Sequence, residues 1–378
     1  MKIEKEKLIS ALEILSLVPQ RPGMSASEYI RITTSGKKMT LALSSEVLGV
    51  VSFPIEGKFP CKEPFYLDRR VAVPFMLAGR DSKSDFELLS DEVEVESVEK
   101  RKKPQKKTVL VIRQGKRSAA MVDVPEVHGY GEIKIDKNSK KVKFSEEQRS
   151  LIKAAFNCAS PDPSLPELNC VYITSQGFIL SYNTIAMMIG KTEKFKESLP
   201  FPLHLLSMIQ HEKDPTIYIS KDKVILEFKE GMIAQSLSVK AVKKFPVKDV
   251  MSKAHSLKKV PYLFSINAAK LFNSMDRFSS YISAVRKQDQ VIRVIVKKKS
   301  KQVKIVSNVP NIKLTEEVTL EKPSSSDLVC EWPLDILRPV IQFLGSGKTR
   351  IDIHSDEKTK SPYFLSTDDV TLLVARRA

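Results

Sequence analysis

The same succession of elements passes three times along the chain: an amphipathic helix, strand-like text, a second helix, then strand, turn and strand. The first helices are EKEKLISALEILSLV, with Leu8, Ala11, Leu12, Leu15 and Val18 at helical spacing, SEEQRSLIKAAFNCA, and INAAKLFNSMDRFSSYIS from Ile266. Ser145 and Gln148 give the second of these a capping box, S-x-x-Q, that fixes its start. Alternating text follows each helix: MTLALSSEVLGVVSFPI (39–55), CVYITSQGFILSYNTIAMMIG (170–190) and QVIRVIVKKKSKQVKIVS (290–307). The second helices read LDRRVAVPFMLAGR (67–80), FPLHLLSMIQHEK (201–213) and PLDILRPVIQFLG (333–345). Pro74 and Pro339 lie inside two of them, which predicts short or kinked helices. Three units of about 120–130 residues result, which points to a modular assembly of like domains. The expected fold is α+β, with two helices packed on antiparallel sheets in each of domains 1–135, 136–254 and 255–378.

The composition limits what such an assembly does. At 378 residues and 42% hydrophobic content the chain can build real cores. Its apolar runs are short and broken by charge, so no membrane-spanning helix is expected, and MKIEKEKLIS lacks the apolar centre of a signal peptide. Cys61, Cys158, Cys170 and Cys330 are too scattered for a metal pair or a disulfide framework, which fits a reducing cytoplasm. Lys and Arg number 62 against 45 Asp and Glu, a net charge of +17. That excess favours a polyanion, because Lys and Arg release the counterions condensed on phosphates. The dense runs RKKPQKK (101–107) and KKKSK (297–301) read as solvated hairpin tips.

Catalytic patterns are weak. LGSGKT (344–349) looks like the end of a phosphate-binding loop, yet the first glycine of G-x-x-x-x-G-K-[ST] falls on Gln342. The context is also reversed, since these glycines follow a helix and precede a strand. His128, His204, His211, His255 and His354 pair with no Cys or carboxylate at ligand spacing. No metal, cofactor or catalytic residue is expected, and the chain reads as a non-enzyme.

GFILSYNTIAMMIG (177–190) is strand-like text interrupted by the neutral polar residues Ser181, Tyr182, Asn183 and Thr184. They read as a hairpin turn or as the lip of a site.

In order and spacing, the chain resembles the β sliding clamp family, the processivity factors of bacterial DNA polymerase III, over essentially its full length. The resemblance rests on LNCVYIT (168–174), FP at 245–246, LVIRQGKRSAAMVDVPEV (110–127) and the closing VTLLVARRA (370–378). It implies a head-to-tail homodimer whose six domains ring duplex DNA, with helices lining the hole and sheets outside. It also implies cations that hold phosphates without reading bases: Arg21, by position, and Arg69, Arg70, Lys153, Lys270, Arg277 and Arg338, by helix placement. A pocket for partner peptides, from a polymerase and a clamp loader, falls on Leu168, Asn183, Thr184, Ile185, Pro246, Pro362, Leu372 and Val374. The subunit seam falls on Ala119 and Met121 of an edge strand and on Met275 and Phe278 of the third domain's first helix.

The chain departs from the family at the T-D-G-H-R-L-A-like element, which becomes Ser181 to Met187, and at the C-terminal proline, whose place Ala375 takes. The pocket chemistry is neutral and apolar, which implies altered partner specificity, as in a clamp serving a phage- or plasmid-type polymerase. The alternatives are a basic nucleic-acid-binding protein with clamp-like domains that closes no ring, and an enzyme with an unrecognised site.

Overall fold

The computed structural model describes residues 1–375 apart from 19–24, 36, 46–48, 58, 62, 96–104, 123–126, 128–129, 131–132, 163, 166, 197, 212–214, 221–222, 229–232, 237–244, 258, 284–289, 308–312, 346–348 and 356–362.

The first pass runs β1 (Lys2–Ile3), α1 (Lys5–Ser16), α2 (Ser25–Glu28), β2 (Tyr29–Ser35), β3 (Lys38–Ser45), β4 (Gly49–Glu56), β5 (Phe65–Asp68), α3 (Arg69–Leu77), β6 (Phe86–Val95), β7 (Gln105–Gln114) and β8 (Arg117–Val122). The second runs β9 (Lys140–Val142), α4 (Glu146–Phe156), β10 (Cys170–Ile173), β11 (Phe178–Tyr182), β12 (Ala186–Lys191), β13 (Leu199–Pro202), α5 (Leu203–His211), β14 (Thr216–Ile219), β15 (Val224–Glu227) and β16 (Ile233–Gln235). After α6 (Val247–Leu257), the third runs β17 (Tyr262–Asn267), α7 (Ala268–Tyr281), β18 (Val291–Val296), β19 (Gln302–Ser307), β20 (Thr315–Thr319), β21 (Leu328–Pro333), α8 (Leu334–Gly345), β22 (Arg350–His354), β23 (Tyr363–Ser366) and β24 (Val370–Val374).

Each pass builds the same pair of half-sheets. One has the order β5-β2-β3-β4, repeated as β13-β10-β11-β12 and β21-β18-β19-β20. The other is β1-β6-β7-β8, repeated as β9-β14-β15-β16 and β17-β22-β23-β24. Half-sheets then join antiparallel into two eight-stranded sheets. β4 takes β16 through Val50↔Gln235 to Ser52↔Ile233, and β12 takes β24 through Ala186↔Val374 to Gly190↔Val370. Among the described residues, β8 and β20 are left as edges of four-stranded sheets.

These joins explain why the chain divides into two compact units where the sequence predicts three domains. One unit is Met1–Lys143 with His204–Val239; the other is Phe144–Leu203 with Lys240–Ala378. The middle pass gives a half-sheet to each, because continuous backbone ladders bind those strands to their neighbours rather than to each other.

Local chemistry sets the elements. Ser145 and Gln148 form the expected capping box, with Gln148 N donating to Ser145 Oγ at 3.2 Å and Ser145 N to Gln148 Oε1 at 2.9 Å. α1 buries Leu8, Ala11, Leu12 and Leu15 in the first unit, beside Phe65, Phe86, Ile30 and Ile32. Pro74 sits in a helix of only nine residues, whereas α8 runs twelve residues with Pro339 inside it. Trp332, Phe201 and Phe264 fill the second unit. There α4 lies so close to β12 that a Cβ on Gly190 would meet the Leu151 side chain at 2.7 Å. Among the described residues, no helix is long and apolar enough to cross a membrane.

Candidate nucleic-acid and partner surfaces

The structure separates the proposed phosphate-binding cations into three kinds. Arg21 lies outside the described residues. Arg69 is a correction. It is only 7% exposed, and its guanidinium donates to the Ser16 carbonyl at 2.8 Å and the Ser27 carbonyl at 3.5 Å, tying α1 to α2. The first of these bonds gives a donor to a carbonyl in the last turn of α1, so Arg69 serves the core. Burial pulls its pKa down from the ordinary arginine value.

Arg70, Arg277 and Arg338 reach solvent, each held by a carboxylate. Arg70 forks onto Asp68 through Nε at 3.1 Å and Nη2 at 2.7 Å. Asp68 also accepts the Arg70 backbone N–H at 2.9 Å, capping α3, and these bonds hold its carboxyl below the usual range. Arg277 Nε donates to Glu316 of β20 at 3.2 Å, and Arg338 Nε to Asp276 at 2.9 Å. Exposed pairs of this kind contribute about 0–1 kcal/mol, so a phosphate can replace the carboxylate at low cost. Lys153 and Lys270 are exposed and carry no ion pair among the described residues.

Ser181 and Tyr182 end β11, paired with Met188 and Met187 of β12, and Asn183, Thr184 and Ile185 make the hairpin turn between the two strands. Asn183 Oδ1 accepts from Ile185 N at 2.7 Å and Ala186 N at 2.6 Å, while Asn183 N donates to the Ala186 carbonyl at 2.9 Å. Thr184 is exposed and Ile185 half-buried, and the Ile185 carbonyl takes Ala375 N at 2.8 Å. Ser181 is fully buried, and its hydroxyl finds no partner among the described residues.

Strand alternation then divides the rest of the expected pocket. Gly190 marks the face of the sheet against α4, and Leu372 and Val374, paired with Met188 and Ala186, share that face. Both are fully buried there, which corrects their assignment to an open pocket. The other face carries Tyr172, Leu180, Tyr182, Met187, Leu373 and Phe364, and the segment from Phe245 through α6 packs on it with Val247, Val250 and Met251. Pro246, half-buried, lies in that segment; Leu168 is half-buried before β10; Pro362 lies outside the described residues. Tyr172 and Leu373 on this face are not among the residues expected from sequence, although their two-residue alternation with buried neighbours is the available signal.

At the expected seam, Ala119 and Met121 lie on β8, an edge strand, in register with Ile112 and Leu110 of β7. Met275 and Phe278 are 0% and 2% exposed in the interior of their own unit, whereas Tyr281 of the same helix is 62% exposed. This corrects the seam on the helix side.

Among the described residues, no three His, Cys, Asp or Glu side chains gather as a metal site would need. Burial pushes the Cys158 thiol up to about 12 and raises Cys170 as well, so neither is a ready nucleophile. LGSGKT starts in the last two residues of α8, and β22 follows it, so the order is helix then strand.

No protein-family model and no curated protein sequence matches the chain. Solved structures do. The DNA polymerase III β subunit of Thermotoga maritima superposes with a TM-score of 0.70 at 13% identity, over 100% of this chain and 98% of that one. The β sliding clamp of Caulobacter crescentus gives 0.68 at 12% identity over 100% and 98%. The DNA polymerase sliding clamp of Pseudomonas aeruginosa gives 0.66 at 13% identity over 100% and 99%. The pass-by-pass order of helices and half-sheets is thus shared from end to end, and the chain has the fold of the DNA polymerase III β sliding clamps.

Proposed function

We propose that the chain is a DNA sliding clamp: two copies joined head to tail into a ring of six repeats that encircles duplex DNA and tethers a polymerase. The observation that carries this reading is the repeated join between half-sheets. The outer strand of one half-sheet, β4 or β12, takes the last strand of the next pass, β16 or β24. The same rule applied to the free strands joins β20 of one copy to β8 of another. Such a contact is heterologous, and it gives a closed ring when the rotation closes.

In this reading the chain is not an enzyme and needs no cofactor. Arg70, Lys153, Lys270, Arg277 and Arg338 hold phosphates, weakly one by one and in a salt-sensitive way that suits sliding. Partner peptides from a polymerase and a clamp loader bind beside Leu168, the Asn183–Thr184–Ile185 turn and Pro246. The net charge of +17 supports a nucleic-acid partner.

Sedimentation over a range of protein and salt concentrations tests ring closure, and retention on circular against linearised DNA tests encirclement. A two-chain mass with loss from linearised DNA is expected. A single-chain mass throughout, or equal retention on both DNAs, refutes the ring and leaves a basic nucleic-acid-binding protein with clamp-like repeats.

A further inference from the structure

The tip of the β18–β19 hairpin carries Lys297, Lys298, Lys299 and Lys301, all exposed. None has an ion pair among the described residues. The nearby carboxylates are Asp327, Glu321 and Glu317. Asp327 Oδ1 accepts the Lys298 backbone N–H at 2.7 Å, and Glu317 lies across from Lys304 on the next strand.

This tip is built, and its backbone is fixed from several sides. Lys299 N donates to the Ser324 carbonyl at 2.8 Å, Ser324 N to the Ser300 carbonyl at 3.1 Å, and Ser300 N to the Lys297 carbonyl at 3.0 Å. Ser300 Oγ donates to the Gln302 carbonyl at 2.7 Å and accepts Gln302 N at 3.0 Å. Lys299 itself sits at φ 64, in the left-handed region, where a non-glycine residue loses about 1–2 kcal/mol. The matching tip of the second pass, Thr174 to Gly177, places a glycine at its positive φ of 89 and has no cation. A hairpin of this fold therefore turns without lysine.

Four ammonium groups within five residues repel one another, and the rigid turn keeps them together. Because the backbone of the turn is already fixed, binding has only the lysine side chains to order. Ammonium groups act as point charges that suit phosphate oxygens without reading base edges.

We propose that this hairpin is a second nucleic-acid contact, separate from the helix-borne cations, that holds duplex DNA by its phosphates regardless of sequence. The contact does not depend on ring closure, so a short linear duplex is the right probe. Its affinity for the full chain is measured across a salt series in wild type, in K297Q/K298Q/K299Q/K301Q, and in a charge-matched control, K194Q/K196Q/K253Q/K259Q. The expected result is a slope of log affinity against log salt that is shallower by about 2–4 in the hairpin variant, at about 0.9 per phosphate lost, and nearly unchanged in the control. An unchanged slope in the hairpin variant, or an equal fall in both variants, overturns the proposal. Sedimentation mass is expected to be the same in all three proteins. A changed mass in the hairpin variant also overturns it, because the lysines then contact protein. Failure of the ring reading shows separately, as a single-chain mass in wild type.

Discussion

Phe245 lies flat on Tyr172, with ring centroids 5.1 Å apart and planes 10° from parallel. The stack pins the segment leading into α6 onto the face of the sheet that also carries Leu180, Met187 and Phe364. The fold uses Phe245 as a clasp, and the Pro246 side of the proposed peptide site depends on it.

Phe245→Ala should therefore remove about 3–5 kcal/mol from the second unit. The chain's one tryptophan, Trp332, is buried in that unit, so its fluorescence during urea unfolding reads the loss directly. A change below about 1 kcal/mol would mean that the segment closes over the sheet without the stack.

Neighbouring arginines should behave as opposites. Arg69→Met leaves the Ser16 and Ser27 carbonyls without their donor and should cost about 2–3 kcal/mol in thermal or urea unfolding. Arg70→Gln should change stability by less than about 1 kcal/mol. It should lower the salt slope of DNA binding by about 1, the effect of one lost phosphate contact.

Proline on β8 tests the seam. Edge strands tolerate proline on the side that faces away from their neighbour. Of Ala119→Pro and Ala120→Pro, the variant that loses the outward N–H should keep its melting temperature yet sediment as a single chain. A two-chain mass for both variants at wild-type stability would place the contact elsewhere.

His354 should make the second unit acid-sensitive. Its ring stacks on Phe364 at 4.3 Å, and burial lowers its pKa below the ordinary 6.5, opposed by the Val260 carbonyl and Asp352. The folded state thus favours the neutral ring. Stability from this group is complete above about pH 6.5 and falls as acidification protonates the unfolded chain first. Urea titrations between about pH 7 and 5 should show the fall in wild type and its loss in His354→Phe.

The sequence carried the local grammar well. Ser145 and Gln148 announced their capping box, and the helix–strand order of all three passes could be read from periodicity. Long-range choices were not legible. Nothing in AMMIGK tells β12 to accept β24 from 180 residues away, because alternation shows which face is buried and not which strand lies alongside. The pocket misassignment turned on a register of one: Leu372 and Leu373 are the same letter, and the pleat sends them to opposite faces. Arg69 and Arg70 are likewise the same letter, and only the neighbouring carbonyls of Ser16 and Ser27 decide which one goes inside. Met275 and Phe278 are ambiguous in sequence because the hydrophobic stripe of a helix looks the same whether it meets a partner or its own unit.

The middle pass lends one half-sheet to each of the two compact units. Calorimetry should therefore resolve two melting events, each containing part of residues 136–254. A fragment cut at those bounds would carry two half-sheets whose open edges, β12 and β16, had lost their strand partners, and it should aggregate rather than fold. The repeat that can be read in the sequence and the block that melts as one are, in this chain, out of phase by half a period.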